Sequence, residues 1–595
     1  TPKPSSAASD VYKRQPMHPS RQAMHDEVDR LESALLHGRG DRRQFMKAAS
    51  AAGYSAAAAA GMAGFAERAH AQQTANRAAL TSEYDFIVCG SGSAGCAVAR
   101  RLADNPEVRV LLIEAGGSDN VPEVMDGTRW PENMGSARDW NFTGQPTPTL
   151  NGRTPPFPMG KVLGGGSSIN GLVWARGHKN DWDTWAEQSG DVAWSYESVL
   201  GIYRRIEDWQ GPANDRLRGK GGLVSVSLPQ APVNPVAPAL MKAAADFGMP
   251  TVDDLNAETM EGEGGAGMPN LIVKNGRRVS MAVAYIHPIL DKPNLTVLLH
   301  THVNKLLIKG KRAVGVETVI ANGQVRNFQA KHEVILSTGA INTPRILMLS
   351  GIGPEAELRK HGIPLVQKLE GVGQNFQDHI LLGGCMWEYV TPEPGRNNSA
   401  EFTFFWKSDP ALKTPDLQPF LEEFPYTSEV TREQYNIPAA AWVLAAAIVK
   451  PTSRGHLTLG GSHPNDKPLI YPNFLSTEQD MKALKRSVEI CRELGNSRHL
   501  KPYAKREIMP GELKGQELDR FIRNAAGTYF HETCTCKMGR DEMSVVDGKL
   551  RVYGIDALRI ADGSIMPEIP AGNTMAPCVV IGERCAEELK KQYRI

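Results

Sequence analysis

Three glycines and one carboxylate are the residues whose types and spacing bear most directly on chemistry. Gly90, Gly92 and Gly95 have the G-x-G-x-x-G spacing, and Glu114 follows about 20 residues later. In such a turn the first glycine allows a tight bend, the second lets the backbone approach a pyrophosphate, and the third lets helix and strand pack closely. A carboxylate at Glu114 can hydrogen-bond a ribose hydroxyl and would repel a 2′-phosphate. The pattern predicts a bound adenine dinucleotide, without choosing between NAD and FAD.

The flanking residues supply the elements that must position this turn. Residues 86–89 are a short apolar run typical of a buried parallel strand, and residues 94–102 are predicted to form a helix. The N-terminus of that helix presents free N–H groups and a positive dipole end to phosphates. A second strand, 108–113, ends at the carboxylate. We therefore predict an α/β, Rossmann-like domain. The residues assigned to its cofactor site are Gly90, Gly92, Ser93, Ala94, Gly95, Glu114 and Ala115.

The N-terminal region has the composition of a leader. Residues 1–16 lack apolar periodicity and resemble an artefact joined to the chain. Residues 41–47 (D-R-R-Q-F-M-K) carry a twin-arginine pattern, an Ala- and Gly-rich stretch follows, and residues 69–71 (A-H-A) offer a small-x-small cleavage site. We predict a leader over 1–71 with a twin-arginine export signal at 41–71, which implies a bacterial periplasmic protein. The alternative is an amphipathic N-terminal helix that is not cleaved.

Composition limits the class of the mature chain. About 520 residues remain after the leader. Because a single hydrophobic core rarely supports a chain of that length, two domains are expected. A net charge of +1 without a basic block argues against nucleic acid or an anionic membrane surface as partner. The longest apolar run, 437–449, is too short for an integral membrane span. The eight cysteines form no C-x-x-C pair, so no metal site is predicted.

Further motifs follow the dinucleotide turn. Residues 160–177 (G-K-V-L-G-G-G-S-S-I-N-G-L-V-W-A-R-G) contain three consecutive glycines and two serines, which leave N–H groups accessible to a polar planar ligand. Residues 339–353 (G-A-I-N-T-P-R-I-L-M-L-S-G-I-G) follow an apolar strand. Three shorter blocks are at 371–379 (G-V-G-Q-N-F-Q-D-H), 529–539 (Y-F-H-E-T-C-T-C-K-M-G) and 571–576 (A-G-N-T-M-A).

Together these segments resemble the signatures of the glucose–methanol–choline (GMC) oxidoreductase family, flavoenzymes that oxidise alcohols. The resemblance, to choline dehydrogenase-like or alcohol dehydrogenase-like members, runs from Tyr84 to nearly the C-terminus. It implies FAD as the cofactor and a second, α+β substrate-binding domain built on an antiparallel sheet. The implied ranges are 81–380 for the FAD-binding domain, interleaved with substrate-domain segments, 381–528 mainly for the substrate-binding domain, and 529–595 for a C-terminal return to the FAD domain with the catalytic residues.

The resemblance also implies cofactor contacts outside the first turn. Some members bond FAD covalently through a histidine in the glycine-rich loop, where this chain has Ile169, so non-covalent FAD is implied. The further implied contacts are Val162, Asn170, Gly171, Leu172, Val173, Val303, Asp562, Gly563 and Thr574.

The catalytic roles implied by the resemblance fall on His531 and Asn573. Alcohol oxidation by a flavin removes a proton from oxygen and a hydride from carbon; the hydride goes to flavin N5, and a neutral imidazole suits the proton. Asn573 can donate a hydrogen bond to the developing alkoxide. We expect kcat/KM to fall on acidification, near pH 6.5 for an unperturbed His531, lower in an apolar site and higher beside a carboxylate. His379 is expected to be structural, with a role as the catalytic base as the alternative. Cys534 replaces a usual glycine and leaves the local turn geometry open.

Several alternatives stay open from the sequence. Aromatic residues recur over 402–426 and could line a substrate entrance or pack as an ordinary core edge. An FAD-containing hydroxynitrile lyase and a redox-inactive flavin-binding protein are the rival functions. Oxidase and dehydrogenase are not separated by the motifs. Export to the periplasm, where quinones and cytochromes can accept electrons, favours a dehydrogenase with a small-molecule alcohol as substrate.

Overall fold

The computed structural model describes residue 31 and residues 41–51, 56–320 and 322–595; the predicted artefact at 1–16 lies outside them. The described helices are α1 (Arg42–Ala51), α2 (Ala56–Ala78), α3 (Ser93–Ala103), α4 (Pro122–Met125), α5 (Lys179–Ser189), α6 (Tyr196–Ile206), α7 (Val236–Phe247), α8 (Gly339–Leu349), α9 (Glu355–Lys360), α10 (Glu429–Tyr435), α11 (Glu478–Gly495), α12 (Gly515–Ala525) and α13 (Met575–Tyr593).

The described strands are distributed over two larger sheets, one three-stranded sheet (β21-β16-β25) and several two-stranded pairs. In chain order they are β1 (Glu83–Cys89), β2 (Val110–Ile113), β3 (Phe142–Thr143), β4 (Pro156–Phe157), β5 (Glu207–Trp209), β6 (Val224–Val226), β7 (Gly265–Gly267), β8 (Val273–Lys274), β9 (Arg277–Arg278), β10 (Leu295–Leu298), β11 (His302–Lys309), β12 (Arg312–Val319), β13 (Val325–Leu336), β14 (Ile352–Gly353), β15 (Gln367–Lys368), β16 (Ile380–Leu382), β17 (Met386–Tyr389), β18 (Thr403–Phe405), β19 (Phe420–Glu422), β20 (Ala441–Ala445), β21 (Ala447–Ile448), β22 (His456–Thr458), β23 (Leu469–Tyr471), β24 (Ala504–Met509), β25 (Ala526–Thr528) and β26 (Leu558–Ile560).

The first sheet has a parallel centre formed by β10, β2, β1, β13 and β26. β1 and β2 are almost entirely buried, as expected for apolar strands covered on both faces by helices. The helix α3 connects them and packs against α13, where a Cβ on Gly582 would lie 2.4 Å from Ala94 O. The predicted Rossmann-like α/β fold is confirmed.

The second sheet is antiparallel, with the order β24-β17-β20-β19-β18-β7. The predicted antiparallel substrate-domain sheet is therefore also confirmed. β7 comes from the range assigned to the FAD domain, while β26, from the last segment of the chain, pairs with β13 in the first sheet. The exact domain boundaries remain predictions.

Two helices precede the first strand. α1 begins with the arginines of the twin-arginine pattern, and α2 continues without a break through the predicted cleavage site at 69–71. Among the described residues, no helix combines the length and hydropathy needed to cross a bilayer.

The end of α2 covers the edge of the parallel sheet at β10. The side chain of Gln73, 5% exposed, donates from Nε2 to Leu295 O at 3.0 Å and accepts at Oε1 from Val297 N at 3.0 Å. Asn76 Nδ2 donates to the same Leu295 O at 2.8 Å. Edge strands carry unpaired N–H and C=O groups, so these side chains take the place of a neighbouring strand.

Candidate active site

An elongated cavity of about 1880 Å³, including its mouth, is lined by residues of both sheets and of the loops between them. Most of the residues predicted to bind the cofactor or to act in catalysis lie on its wall. They are Gly90, Gly92, Ser93, Ala94, Glu114, Ala115, Asn170, Gly171, Val173, Val303, His531, Asp562, Gly563, Asn573 and Thr574.

Three predicted cofactor residues do not line the cavity. Gly95 packs inside the turn, since a Cβ there would lie 2.0 Å from Gly90 O. It therefore acts through close packing, the role that its spacing indicates. The side chains of Val162 and Leu172 are fully buried in the protein core. Direct contact of these three residues with the cofactor stays a prediction.

The dinucleotide turn has the geometry that its glycines require. Gly90 has φ 95°, in the left-handed region, and a Cβ on it would lie 2.3 Å from Ser337 O. A side chain at this position would collide with the next parallel strand. The turn therefore depends on glycine at Gly90 for both conformation and space.

Glu114 is held beside this turn by three hydrogen bonds. Its carboxylate accepts from Ser91 N at 3.1 Å, from Ser91 Oγ at 2.6 Å and from Gly116 N at 2.8 Å. Burial raises the pKa of Glu114, and these hydrogen bonds oppose that rise. A carboxylate has about four acceptor positions, so capacity remains for a ribose hydroxyl.

Three helices direct their N-termini at the cavity. None has a hydrogen bond from a side-chain cap at its N-cap residue, so first-turn N–H groups stay available to an anion, with the exception of Gly339 N in α8. Asp562 supports one of them, because it accepts from Gly339 N at 2.9 Å at the start of α8. The residues at the three ends are Ser93, Ala94, Gly339, Ala340, Thr574 and Met575.

Buried polar atoms without protein partners also face the cavity. Ser337 Oγ, Asn342 Oδ1 and Arg345 Nε have no hydrogen-bond partner among the described residues. Free N–H groups suit phosphates, and the unpaired atoms suit the hydroxyl and ring nitrogen groups of a dinucleotide. The residues present therefore fit FAD. Ile169, at the position of the covalent histidine, offers no atom for a bond to the flavin.

At the other end of the cavity, His531 and His379 form a relay. His379 Nε2 lies 3.0 Å from Pro570 O, and its Nδ1 lies 2.9 Å from His531 Nδ1. A carbonyl oxygen only accepts, so neutral His379 carries its proton on Nε2 and accepts at Nδ1. His531 then donates from Nδ1, and its Nε2 carries the lone pair. The relay selects the tautomer in which His531 Nε2 is the base.

The side-chain amide of Asn573 faces that lone pair. Its Nδ2 is 3.2 Å from His531 Nε2, and its Oδ1 accepts from Gln418 Nε2 at 3.0 Å. The contact with Gln418 orients the amide so that its N–H groups point to His531. An alcohol oxygen placed beside both would have an acceptor for its proton and a donor for its developing charge.

Burial determines the protonation of the histidines. It lowers the pKa of His531 to about 3 and that of His379 well below its usual value. Both rings are therefore neutral at neutral pH. Asp378, whose pKa burial raises to about 7, accepts from His531 N at 3.0 Å and fixes the backbone. His379 thus acts on the orientation of His531, in keeping with the expected structural role.

The backbone around the histidine adopts an unusual conformation. Phe530 has φ 66° and Cys534 has φ 74°, both in the left-handed region that non-glycine residues rarely occupy. The Cys534 value explains why a glycine suits this position. Such strain is common where a reacting group is held in a fixed orientation.

Some aromatic residues of the segment 402–426 pack in the core and others line the cavity, so each of the two interpretations applies to part of the segment. Phe402 and Phe404 are fully buried in the core, whereas Phe420 and Tyr426 line the cavity. Sequence reasoning missed several other lining residues, most of them because they come from loops and strands without a motif, and two because their motif does not mark them as cofactor contacts. They are Trp130, Trp140, Met159, His302, Arg345, Glu422 and Glu532. For Glu422, an acid inside an otherwise apolar strand was the available signal.

Comparison with known proteins agrees with this geometry. Residues 84–381 match the N-terminal domain of the GMC oxidoreductase family, and residues 451–582 match its C-terminal domain. An oxygen-dependent choline dehydrogenase of Pseudomonas savastanoi pv. phaseolicola is 36% identical over 544 residues, 86% of this chain and 94% of the relative. The mitochondrial choline dehydrogenase of Mus musculus is 36% identical over 547 residues, 85% of this chain and 89% of the relative.

A solved structure has the same fold. The crystal structure of pyridoxine 4-oxidase from Mesorbium loti superposes with a TM-score of 0.81 at 32% identity, covering 86% of this chain and 99% of that one. These matches confirm that the cofactor is FAD and that the chain is an FAD-dependent alcohol oxidoreductase. The chain therefore belongs to the GMC oxidoreductase family.

Proposed function

We propose that this enzyme oxidises an alcohol to an aldehyde or ketone with His531 as the general base. The observation that carries the proposal is the relay from Pro570 through His379, which leaves the lone pair of His531 Nε2 facing Asn573. Bound FAD supplies the acceptor for the hydride that leaves the carbinol carbon.

Each protein group has a defined part in the proton transfer. The alcohol O–H donates to His531 Nε2, and Asn573 Nδ2–H stabilises the oxygen as negative charge develops there. As Nε2 takes the proton, Nδ1 keeps its own and continues to donate to His379. The low pKa of His531 makes the imidazolium a strong acid, which favours release of the proton afterwards.

Anaerobic mixing with a panel of alcohols tests the reaction. Loss of the oxidised flavin absorbance is expected for the substrate and is expected to stop in His531→Ala. A panel without any bleaching would overturn the proposal and leave the hydroxynitrile lyase as the alternative.

We further propose that the enzyme is a dehydrogenase that passes electrons to a quinone or a cytochrome. Reoxidation of the reduced enzyme by oxygen and by a quinone analogue separates the two classes. Faster reoxidation by the quinone analogue is expected, and faster reoxidation by oxygen would assign an oxidase.

We also propose export to the periplasm by the twin-arginine pathway. The pattern at 41–47 supports it, and this pathway carries folded proteins, as a flavoenzyme loaded before export requires. Arg42→Lys with Arg43→Lys is expected to retain the precursor, still carrying FAD, in the cytoplasm. Normal periplasmic enzyme in the double variant would contradict the proposal.

A further inference from the structure

Every second residue from Gln418 to Glu422 forms a row along the antiparallel sheet, and this row leads away from His531 and Asn573. Gln418 contacts Asn573, and the Phe420 ring lies 6.3 Å from that of Tyr529, which stacks on His531 at 4.8 Å. Glu422 is two residues beyond Phe420 on the same face of β19, about 7 Å further along a strand. Phe420 and Glu422 both line the cavity.

Glu422 is the unusual member of this row. Its side chain is 7% exposed, and Oε2 has no hydrogen-bond partner among the described residues. The next residue, Glu423, faces away and accepts from Arg396 N at 2.8 Å. Tyr426 lines the same cavity. A buried carboxyl group without a partner is costly, unless a ligand completes it.

The charge state of Glu422 limits which ligand group can form the missing hydrogen bond with its carboxyl group. Burial, the sole cause of the shift, raises the pKa of Glu422 to about 8, so the group is uncharged at neutral pH. Its charge would raise the pKa of Tyr426 and of Tyr529, which indicates that both phenols lie close to it. A protonated carboxyl group both donates and accepts a hydrogen bond.

We propose that Glu422 recognises a second, uncharged hydroxyl group on the alcohol substrate, so that the enzyme is selective for diols. The reacting hydroxyl would lie at His531, and the second one about an aromatic ring or a short chain away. This inference rests on the proposed function for the position of the reacting end. The Glu422 site itself is read from its burial, its missing partner and its place on the cavity wall.

An uncharged hydroxyl fits this carboxyl group better than an ammonium group does. A hydroxyl can accept the carboxyl O–H and donate to the carbonyl oxygen without any change of charge. An ammonium group would have to lose its hydration in the cavity and ionise Glu422 as well, and burying each ion is unfavourable. A purely apolar end would leave the carboxyl group unpaired.

Three ligands of one shape separate these cases. They are para-bis(hydroxymethyl)benzene, para-ethylbenzyl alcohol and para-(aminomethyl)benzyl alcohol, which differ only in the group distant from the reacting hydroxyl. Two readouts are taken on the holoenzyme, namely kcat/KM from anaerobic flavin reduction and the shift in Tm at a fixed ligand concentration. The Tm shift reports binding even if no alcohol reduces the flavin.

For wild type we expect the diol to exceed the ethyl compound by about 10- to 100-fold in kcat/KM and to give the largest Tm shift. Glu422→Gln, which keeps a donor and an acceptor, should retain most of the preference. Glu422→Leu should lose it and favour the ethyl compound. Glu433→Gln, on an exposed position of α10, is the control and should match wild type.

The two proposals fail in different ways. If alcohols reduce the flavin but wild type does not distinguish the diol from the ethyl compound, Glu422 has no recognition role and the proposed function stands. If the aminomethyl compound is preferred, the site is an ionised cation site and the inference is overturned. If no alcohol reduces the flavin but the diol still gives the largest, Glu422-dependent Tm shift, the recognition site stands and the proposed function falls.

Discussion

Glu114 and Glu422 are two buried carboxyl groups on one cavity, and their surroundings are opposite. Glu114, at the end of the parallel sheet, accepts three hydrogen bonds from the turn around it. Glu422, on the antiparallel sheet, has an oxygen without a partner. Burial raises the pKa of both groups, but hydrogen bonds oppose the rise at Glu114 alone. Glu114 is thus held in place by the protein itself, whereas an oxygen of Glu422 has no protein partner.

The largest expected effect separates chemistry from cofactor binding. His531→Ala removes the base and should slow anaerobic flavin reduction by about 10²- to 10⁴-fold. Its FAD content, measured from the absorbance ratio of the purified protein, should stay normal because the cofactor end is untouched. His463→Ala, on an exposed loop, serves as the control. An equal loss of FAD and of rate in His531→Ala would show that the two ends are not independent.

The reverse separation is expected at Glu114. Glu114→Ala removes the acceptor that holds Ser91 and that is predicted to bind the ribose, so the dissociation constant of FAD should rise by about 10- to 100-fold, as for a charge-assisted hydrogen bond. Flavin titration of the apoprotein measures it. The reduction rate of enzyme reloaded with excess FAD should stay near that of wild type. Glu107→Ala, exposed in the same region, should bind FAD normally.

The sequence predicted the cofactor end because its signals are local. Gly90 and Glu114 act within one strand–turn–helix–strand unit, so spacing alone reveals their geometry. His531 and Asn573 were found through motifs that resemble a family. The Glu422 site depends on the pairing of β19 with its neighbours and on a cavity formed by distant segments. No periodicity in one segment reports those relations.

The contrast between the carboxyl groups also predicts a pH dependence of stability. The pKa of Glu422 is raised in the folded state, so its contribution to stability is full below the unfolded value of about 4.3 and is lost as pH rises towards 8. Relative to Glu422→Gln, wild type should lose about 1.4 kcal/mol of unfolding free energy per pH unit in that window. Urea unfolding at several pH values measures the difference. A constant difference would mean that Glu422 is ionised throughout.

The smallest expected effect concerns the far edge of the parallel sheet. Gln73→Leu leaves Val297 N without its side-chain partner and removes one of the two side-chain donors to Leu295 O, at a cost of about 1–3 kcal/mol in unfolding free energy. Thr74→Ala, one residue away and exposed, is the control. FAD affinity should change little in either variant. No loss of stability in Gln73→Leu would show that α2 does not cover this edge in solution.

The proposed role of His531 as a neutral base is tested most directly by the pH dependence of flavin reduction. The sequence left the ionisation open on either side of pH 6.5, and burial places it at about 3. The anaerobic reduction rate of wild type at saturating alcohol should therefore be level from about pH 5 to pH 8, a range that contains the usual histidine value. His531→Ala should be slower throughout that range. An acidic limb near pH 6.5 in wild type, or a rate in His531→Ala equal to that of wild type, would contradict the account.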